Sequence, residues 1–325
     1  VAGALLVLAV PVSAGLVLLQ ATRLSELSFR AVGLTGVAPL VAAAVALVAT
    51  AAALVVAASA PGPAGAPPVA LLAVVPWAVV ATSVVPTLRS AVAPERSRDG
   101  APVDVLVQNL WYQHPDPSRA ATVVLGADAD VVVLVELTPA HERALVDAGV
   151  DRHYPHQLRR PAAFGDGIAV LSRFPLEGSA DLGLFSPSIR TTLRVGGRAV
   201  ELLAVHPVAP SDRWGLPRWR ADLDVLSRRA AAAGPDLIVA GDLNATFAHP
   251  RFRHLVGAGG LREAHRVAGT GAGLTWPAGH RLVPPVMRLD HVLVGAAIGV
   301  ERAEVVRGAG SDHLGVAARL RVPPP

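Results

Sequence analysis

Hydrophobic and polar positions divide this chain into two textures. Val1–Thr22 carries no charge, Arg23, Glu26 and Arg30 follow, and Ala31–Leu88 is then 58 residues without a charge. A membrane-crossing helix needs about 20 apolar residues, so the second stretch holds two spans and a turn. The turn is Ser59–Pro68, whose prolines and glycines cannot continue a helix. The pattern predicts three transmembrane helices, at Ala2–Gln20, Val37–Ala58 and Val69–Leu88. Helices buried in a soluble core are the alternative, but such helices rarely avoid charge for so long. A cleaved signal peptide would explain only the first segment. That segment lacks a basic leading region, and two more spans follow it.

From Ala101 the texture changes. Short β-branched runs predict strands at Val103–Val107, Val131–Glu136, Ile168–Ser172, Thr191–Val195, Val200–His206, Leu237–Ala240, His291–Val294 and Val316–Arg321. Between them, Pro117–Leu125, Pro139–Ala148 and Arg218–Ala233 read as helices, the last ended by Gly234-Pro235. The division predicted is a membrane anchor over residues 1–88, a linker over 89–101 and a separate folded domain over 102–322. Alternating strands and helices of this kind predict an α/β (α+β) domain with two sheets.

Composition sharpens the division. Hydrophobic residues make up 52% of the chain and charged residues 17%, which excludes a disordered chain. The absence of Cys excludes a disulfide scaffold, a Cys-ligated zinc site and thiol catalysis. The net charge is only +4, yet the pI is near 10.7. All 29 basic residues are Arg, and with no Lys or Cys and two Tyr little titrates between neutrality and strong base. The pI therefore argues little for a nucleic-acid partner. From Ala101 onward 24 Arg face 22 acids, and no Arg run exceeds two, so the clustered basic face that duplex binding needs is missing from the sequence.

Chemistry-bearing residues gather at predicted strand ends. Gln108-Asn109 follows the first strand, and Glu136 ends Asp130–Glu136. Gly241-Asp-Leu-Asn244 follows a hydrophobic strand, with Asp242 and Asn244 on one side at i, i+2. His206 closes another strand. Leu289-Asp-His-Val-Leu293 and Ser311-Asp-His313 complete the set. Singly, each has an ordinary reading as a turn, a solvated strand end or a surface pair. Six in this order are much harder to obtain by accident.

Together these motifs resemble the endonuclease/exonuclease/phosphatase superfamily of metal-dependent phosphoesterases. Gly241-Asp-Leu-Asn244 is the most specific, and Gly167-Ile-Ala-Val-Leu-Ser-Arg-Phe-Pro175 is similar to that family's central strand pair. The resemblance covers about Val103–Leu320. It implies a four-layer α/β/β/α sandwich, with the active site at one edge of the paired sheets. It implies Mg²⁺ or Mn²⁺ held by Glu136 with Asn109 and Asp312. Asp242 would orient or deprotonate the attacking water, and Asn244 would hydrogen-bond a phosphoryl oxygen. Asp290 would orient His313, which would offset charge on the phosphoryl group. His206 would act as the acid for the leaving group. One departure is that Val205 and Pro207 flank His206, where the family more often has Thr before and an apolar residue after.

The substrate implied is phosphorylated: a phosphodiester, a phosphomonoester or a lipid-linked pyrophosphate. A tether raises the local concentration of membrane substrates, which favours the lipid-linked class and membrane lipids as partners over nucleic acid. A membrane-tethered nuclease and a catalytically inactive binding module are the alternatives. Arg23, Arg30, Arg89, Arg96 and Arg98 would place the catalytic domain on the cytoplasmic side by charge. The arrangement also resembles membrane-anchored bacterial members of the superfamily with the catalytic domain outside. The expectation drawn is a multi-pass plasma-membrane protein with an extracytoplasmic catalytic domain.

Overall fold

The structure, a computed structural model, describes residues 2–59, 74, 77, 78 and 99–325. Apart from residues 59, 74, 77 and 78, the predicted third span and the Ser59–Pro68 turn lie outside these residues, as does nearly all of the linker.

Residues alternating between the two faces of each strand build the domain from Ala101 onward. One mixed sheet contains β1 (Ala101–Asn109), β2 (Val131–Val135), β3 (His156–Arg160), β4 (Ile168–Ser172), β11 (Gly299–Val306) and β12 (Gly315–Val322). Its order is β11-β12-β1-β2-β4-β3. The other contains β5 (Leu176–Ala180), β6 (Ile189–Val195), β7 (Arg198–Val205), β8 (Leu237–Asp242), β9 (Arg262–Glu263) and β10 (Asp290–Val294). Its order is β5-β6-β7-β8-β10-β9. Val103, Val105, Val133 and Val135 of the first sheet face Leu202, Ala204, Ile238, Ala240 and Val292 of the second in one core. The intervening residues Leu106, Val132, Leu134 and Leu171 face the other way, under α3 (Arg119–Ala127) and α4 (Pro139–Asp147). Leu203, Val205, Val239 and Leu293 do the same under α5 (Gly215–Ala232) and α6 (Pro250–Ala258). The period-2 alternation thus produces the four layers directly.

Every strand and helix predicted after Ala101 is present within a few residues. The strands without a prediction are β3, β5, β9 and β11, and α6 and the short α7 (Ala264–Ala268) also lacked one. The first two show why. His156–Arg160 is half-buried throughout and Leu176–Ala180 is mostly exposed, so neither offers an apolar run.

The N-terminal residues form α1 (Ala2–Ala21), a 3₁₀ turn at Arg23–Leu27 and α2 (Phe29–Ser59). Ala9 packs with Ala49, Ala52 and Ala53, and Leu16 packs with Ala38 and Ala42, so the helices are antiparallel. Phe29–Val56 is long and apolar enough to cross a membrane, whereas Leu8–Ala21 of α1 is shorter. Three such spans were expected, and among the described residues one meets the length. Leu47 and Leu54 of α2 and Leu8 of α1 are more than half exposed.

The second span was expected to begin at Val37, but its helix starts eight residues earlier. Those extra two turns pack on the catalytic domain. Val32 joins the core beneath α5 and α6, and the buried His249 ring bonds the Val32 carbonyl at 3.0 Å. Arg251 of α6 reaches back to the buried Glu26 at 2.6 Å and also pairs with Asp224. Arg253 donates to the Gln20 carbonyl at the end of α1.

Candidate active site

Parallel strands β1 and β2, and β7 and β8, end at the same edge of the sandwich. Asn109, Glu136, His206 and Asp242 therefore arrive together. Antiparallel pairing of β10 with β8 sets Asp290 opposite Asp242. The loop before β12 adds Asp312 and His313. Glu136, His206, Asp242, Asn244, Asp312 and His313 line a cleft of about 580 Å³, with Asn109 and Asp290 buried directly behind them, so the structure brings together all eight residues singled out in the sequence.

The backbone is shaped for this convergence. Gly241 has φ +150°, and a Cβ there would lie 1.8 Å from the Val205 carbonyl oxygen, so only Gly lets β8 meet β7 beside the site. Glu136 (φ 58°) and Asn244 (φ 48°) are left-handed, uncommon for residues other than Gly. Each is bonded in place. Glu136 accepts the Asn109 side-chain amide at 2.9 Å and the Tyr112 backbone N–H at 2.8 Å. Asp242 accepts the Asn244 backbone N–H at 2.8 Å and the Asn109 amide at 3.1 Å. Asn109 thus spans two carboxylates, while its own Oδ1 takes the Trp111 N–H at 2.9 Å. Asn244 donates to the Pro207 carbonyl at 3.0 Å.

The His313 ring bonds Asp290 at 2.8 Å through Nδ1, leaving Nε2 3.8 Å from Asp242. Burial opposes a charge on this ring, but Asp290 and Asp242 outweigh it and raise the pKa to about 10. His313 is therefore an imidazolium at neutral pH. His206 Nε2 lies 3.7 Å from Asp242 and 4.0 Å from Glu136, in reach of both but bonded to neither. Burial pushes the Asp312 carboxyl up, and Glu136 adds to that.

Several supporting residues were not found in the sequence. Ser311 accepts the His313 backbone N–H at 3.1 Å and donates to the Asn109 carbonyl at 2.8 Å, tying two catalytic segments together. Thr275 takes the Leu289 N–H at 3.1 Å and so steadies the approach to Asp290. The buried Asp222 sits under the His206 loop, accepting the Phe185 N–H at 2.8 Å and the Val208 N–H at 3.3 Å. Only Ser311 had a signal, as the first residue of Ser-Asp-His. Among the aromatics near the predicted site edge, Trp219 is wholly buried core, whereas Tyr112 and Trp214 border the cleft.

The donor set fits a hard divalent cation. Glu136, Asp242 and Asp312 put three carboxylates on one cleft, Asp290 adds a fourth buried behind His313, and His313 supplies one positive charge against them. Oxygen ligands of this kind suit Mg²⁺, Mn²⁺ or Ca²⁺ rather than a thiolate-seeking metal.

The family model described as Endonuclease/Exonuclease/phosphatase family matches residues 106–313, from β1 to this histidine. The chain belongs to that family. Its members are divalent-metal-dependent hydrolases of phosphoester bonds, and this chain is such an enzyme by membership. Solved structures with the same fold include an endonuclease/exonuclease/phosphatase from Beutenbergia cavernae, at 22% identity and TM-score 0.52 over 68% of this chain and 72% of that one. D. rerio TDP2 complexed with single strand DNA product matches at 18% identity and TM-score 0.56, over 68% of this chain and 99% of that one. The human Nocturnin catalytic domain with bound sulfate anion matches at 20% and 0.53, over 67% and 94%. A search of curated proteins finds no match.

Proposed function

We propose that this family member is a membrane-anchored, Mg²⁺-dependent phosphoesterase acting on a lipid-linked phosphate or pyrophosphate. One observation carries the reading. The catalytic cleft is walled on one side by Val32 and Gly33 of α2, the helix whose Phe29–Val56 stretch is long enough to cross a membrane. A substrate anchored in the same bilayer reaches these reacting groups without leaving it, at a high effective concentration. In this reading α1 and α2 cross the membrane as a hairpin, the third expected span, Val69–Leu88, returns the chain to the side of the Arg23–Leu27 turn, and the catalytic domain lies there, outside the cytoplasm. A reporter fused to the C-terminus tests the side.

Glu136, with Asn109 and Asp312, would hold the metal, which when bound polarises a phosphoryl oxygen. Asp242, buried and steadied by two donors, aligns and deprotonates the attacking water. The second N–H of the Asn244 amide remains for a phosphoryl oxygen. Asp290 fixes the His313 ring so that Nε2–H points into the cleft and offsets charge on the transferring group. His206, unbonded at the cleft wall, protonates the leaving oxygen. Phosphoryl transfer asks for little more than this positioning and charge balance.

Purified full-length protein in detergent, assayed with Mg²⁺ on a polyprenyl pyrophosphate and on plasmid DNA, tests the proposal. Phosphate release from the lipid, lost in Asp242→Ala and His313→Ala, supports it. Cleavage of DNA alone would establish the nuclease reading instead, which is favoured by the DNA product bound to D. rerio TDP2. Activity on neither substrate, nor on a generic bis-phosphoester, would leave the inactive binding module.

A further inference from the structure

A second, apolar cavity of about 200 Å³ lies where α2 leaves the catalytic domain. Its walls are Pro39, Leu40 and Ala43 on the helix, and Phe247, Leu274 and Val286 on the domain. Val32 and Gly33, which line the catalytic cleft, stand on the same helical face as Gly36, Leu40 and Ala43, at i, i+4, i+8 and i+11 from Val32. One face of α2 thus runs from the reacting groups into the apolar cavity, a distance of about 15 Å from Gly33 to Ala43 at 1.5 Å per residue.

Met287 lines both cavities. It sits where helix and domain come closest, since a Cβ on Gly36 would lie 2.7 Å from the Met287 sulfur. The partition between the two cavities is therefore formed in part by a thioether, the most adaptable of apolar side chains, with the His249 ring beside it.

The level of the cavity says what enters it. Because Leu16 packs with Ala38 and Ala42, α1 ends beside about residue 37 of α2. The 31 residues of α2 span about 46 Å, against a hydrocarbon core of about 30 Å. Where α2 stands upright in a bilayer with its docked turns outside it, those turns take up the excess of about ten residues. Pro39–Ala43 therefore falls at the hydrocarbon boundary, directly below the catalytic cleft.

We propose that this cavity holds the first part of the substrate's own apolar chain, with the phosphate in the cleft, Met287 displaced between them and the remaining chain in the bilayer. The inference rests on the lipid-linked reading and adds to it a chain-length-selective subsite. At ~30 Å³ for each water-sized group, the cavity has room for roughly seven methylene-sized groups.

The test compares kcat/KM of the full-length protein in detergent on dimethylallyl, farnesyl and dodecyl pyrophosphate, which share a head group. Wild type is expected to prefer both long chains over dimethylallyl by at least about tenfold, the value of 1.4 kcal/mol of added apolar burial. Ala43→Phe and Leu274→Trp, filling the cavity from opposite walls, should each reduce that ratio towards one, and Met287→Ala should raise it. A preference for farnesyl over dodecyl assigns an isoprenoid, and the reverse a linear chain. Cleavage of all three with one common kcat/KM in wild type and both filled variants overturns the subsite and leaves the lipid-linked reading standing. No cleavage of any of them overturns both.

Discussion

Asp290 and His291 are adjacent on β10, both fully buried, and each joins a cluster of acids and histidines on its own side of the sheet. On one side, Asp290 meets His313 with Asp242 close by. On the other, Glu263 lies 3.9 Å from His291 and 3.6 Å from His265, and pairs with the buried Arg288. The residue types are the same, and the histidines behave in opposite ways. His313 is raised to about 10, whereas burial lowers His291 to about 4 and Arg288 reinforces the drop. What differs is where the acid's charge is committed. Glu263 is held well below the usual carboxylate range despite its burial, chiefly by Arg288, and its pull on the His291 ring is outweighed by burial, which Arg288 reinforces. Asp290 and Asp242 have no arginine, so a proton on His313 is their local cation. The first cluster opens on the catalytic cleft and stays short of positive charge; the second is already neutral and borders only the apolar cavity, through Arg288 and His291, and the pocket beside His265.

The contrast can be broken at several points. The largest effect belongs to the open cluster. Asp290→Asn should lower kcat/KM by about 10³-fold or more, because it removes both ring orientation and charge. Circular dichroism should show an unchanged fold. Next is the second cluster. Arg288→Met leaves the Glu263 carboxylate buried without its partner, which costs about 3–5 kcal/mol. In a domain of this size that is about 6–20 °C of Tm by calorimetry. A variant with intact Tm and lost activity on a generic bis-phosphoester, which has no apolar chain to seat in the cavity beside Arg288, would show that the second cluster is catalytic after all.

Acid sharpens the same comparison. His291 is neutral when folded and gains a proton when unfolded below its ordinary value near 6.5. His249, also lowered to about 4 by burial, behaves alike. Their contribution is complete above pH 6.5 and is lost as pH falls towards 4, by on the order of 3 kcal/mol for each ring. Urea denaturation at pH 7 and pH 4.5 should show the midpoint falling. The smallest effect is expected from Ser311→Ala, which removes the bridge between the Asn109 carbonyl and the His313 N–H. One such hydrogen bond is worth about 1 kcal/mol, so kcat should fall by about fivefold with little change in KM.

The open cluster was legible in the sequence and the second was not, for a physical reason. Catalytic side chains at strand ends leave short local signatures, such as Gly241-Asp-Leu-Asn244, because the glycine is forced by the approach of Val205 and the acid must follow it immediately. Arg288 and Glu263 are joined only by the fold, across 25 residues with no periodic signal. The same holds for strands. Buried β2 and β4 read as apolar runs, while edge strand β5 bears Glu and Ser on a mostly exposed surface and reads as loop. The apolar N-terminal helices are plain from their lack of charge. Their docking is hidden, because Glu26 and Val32 are ordinary residues until Arg251 and His249 meet them.

That docking fixes a direction. The Arg23–Leu27 turn and the first two turns of α2 are clamped to the domain through Glu26, Val32 and Gly36, and the rest of the same helix continues away from it past Pro39. A helix advances about 100° and 1.5 Å with each residue. One residue inserted below Ala43 would swing the whole cleft by more than a quarter-turn about the rod, and two would turn it nearly to the opposite side. Where the rod stands in a bilayer, the register of α2 is the compass bearing of the active site, set by residue count far from any reacting atom.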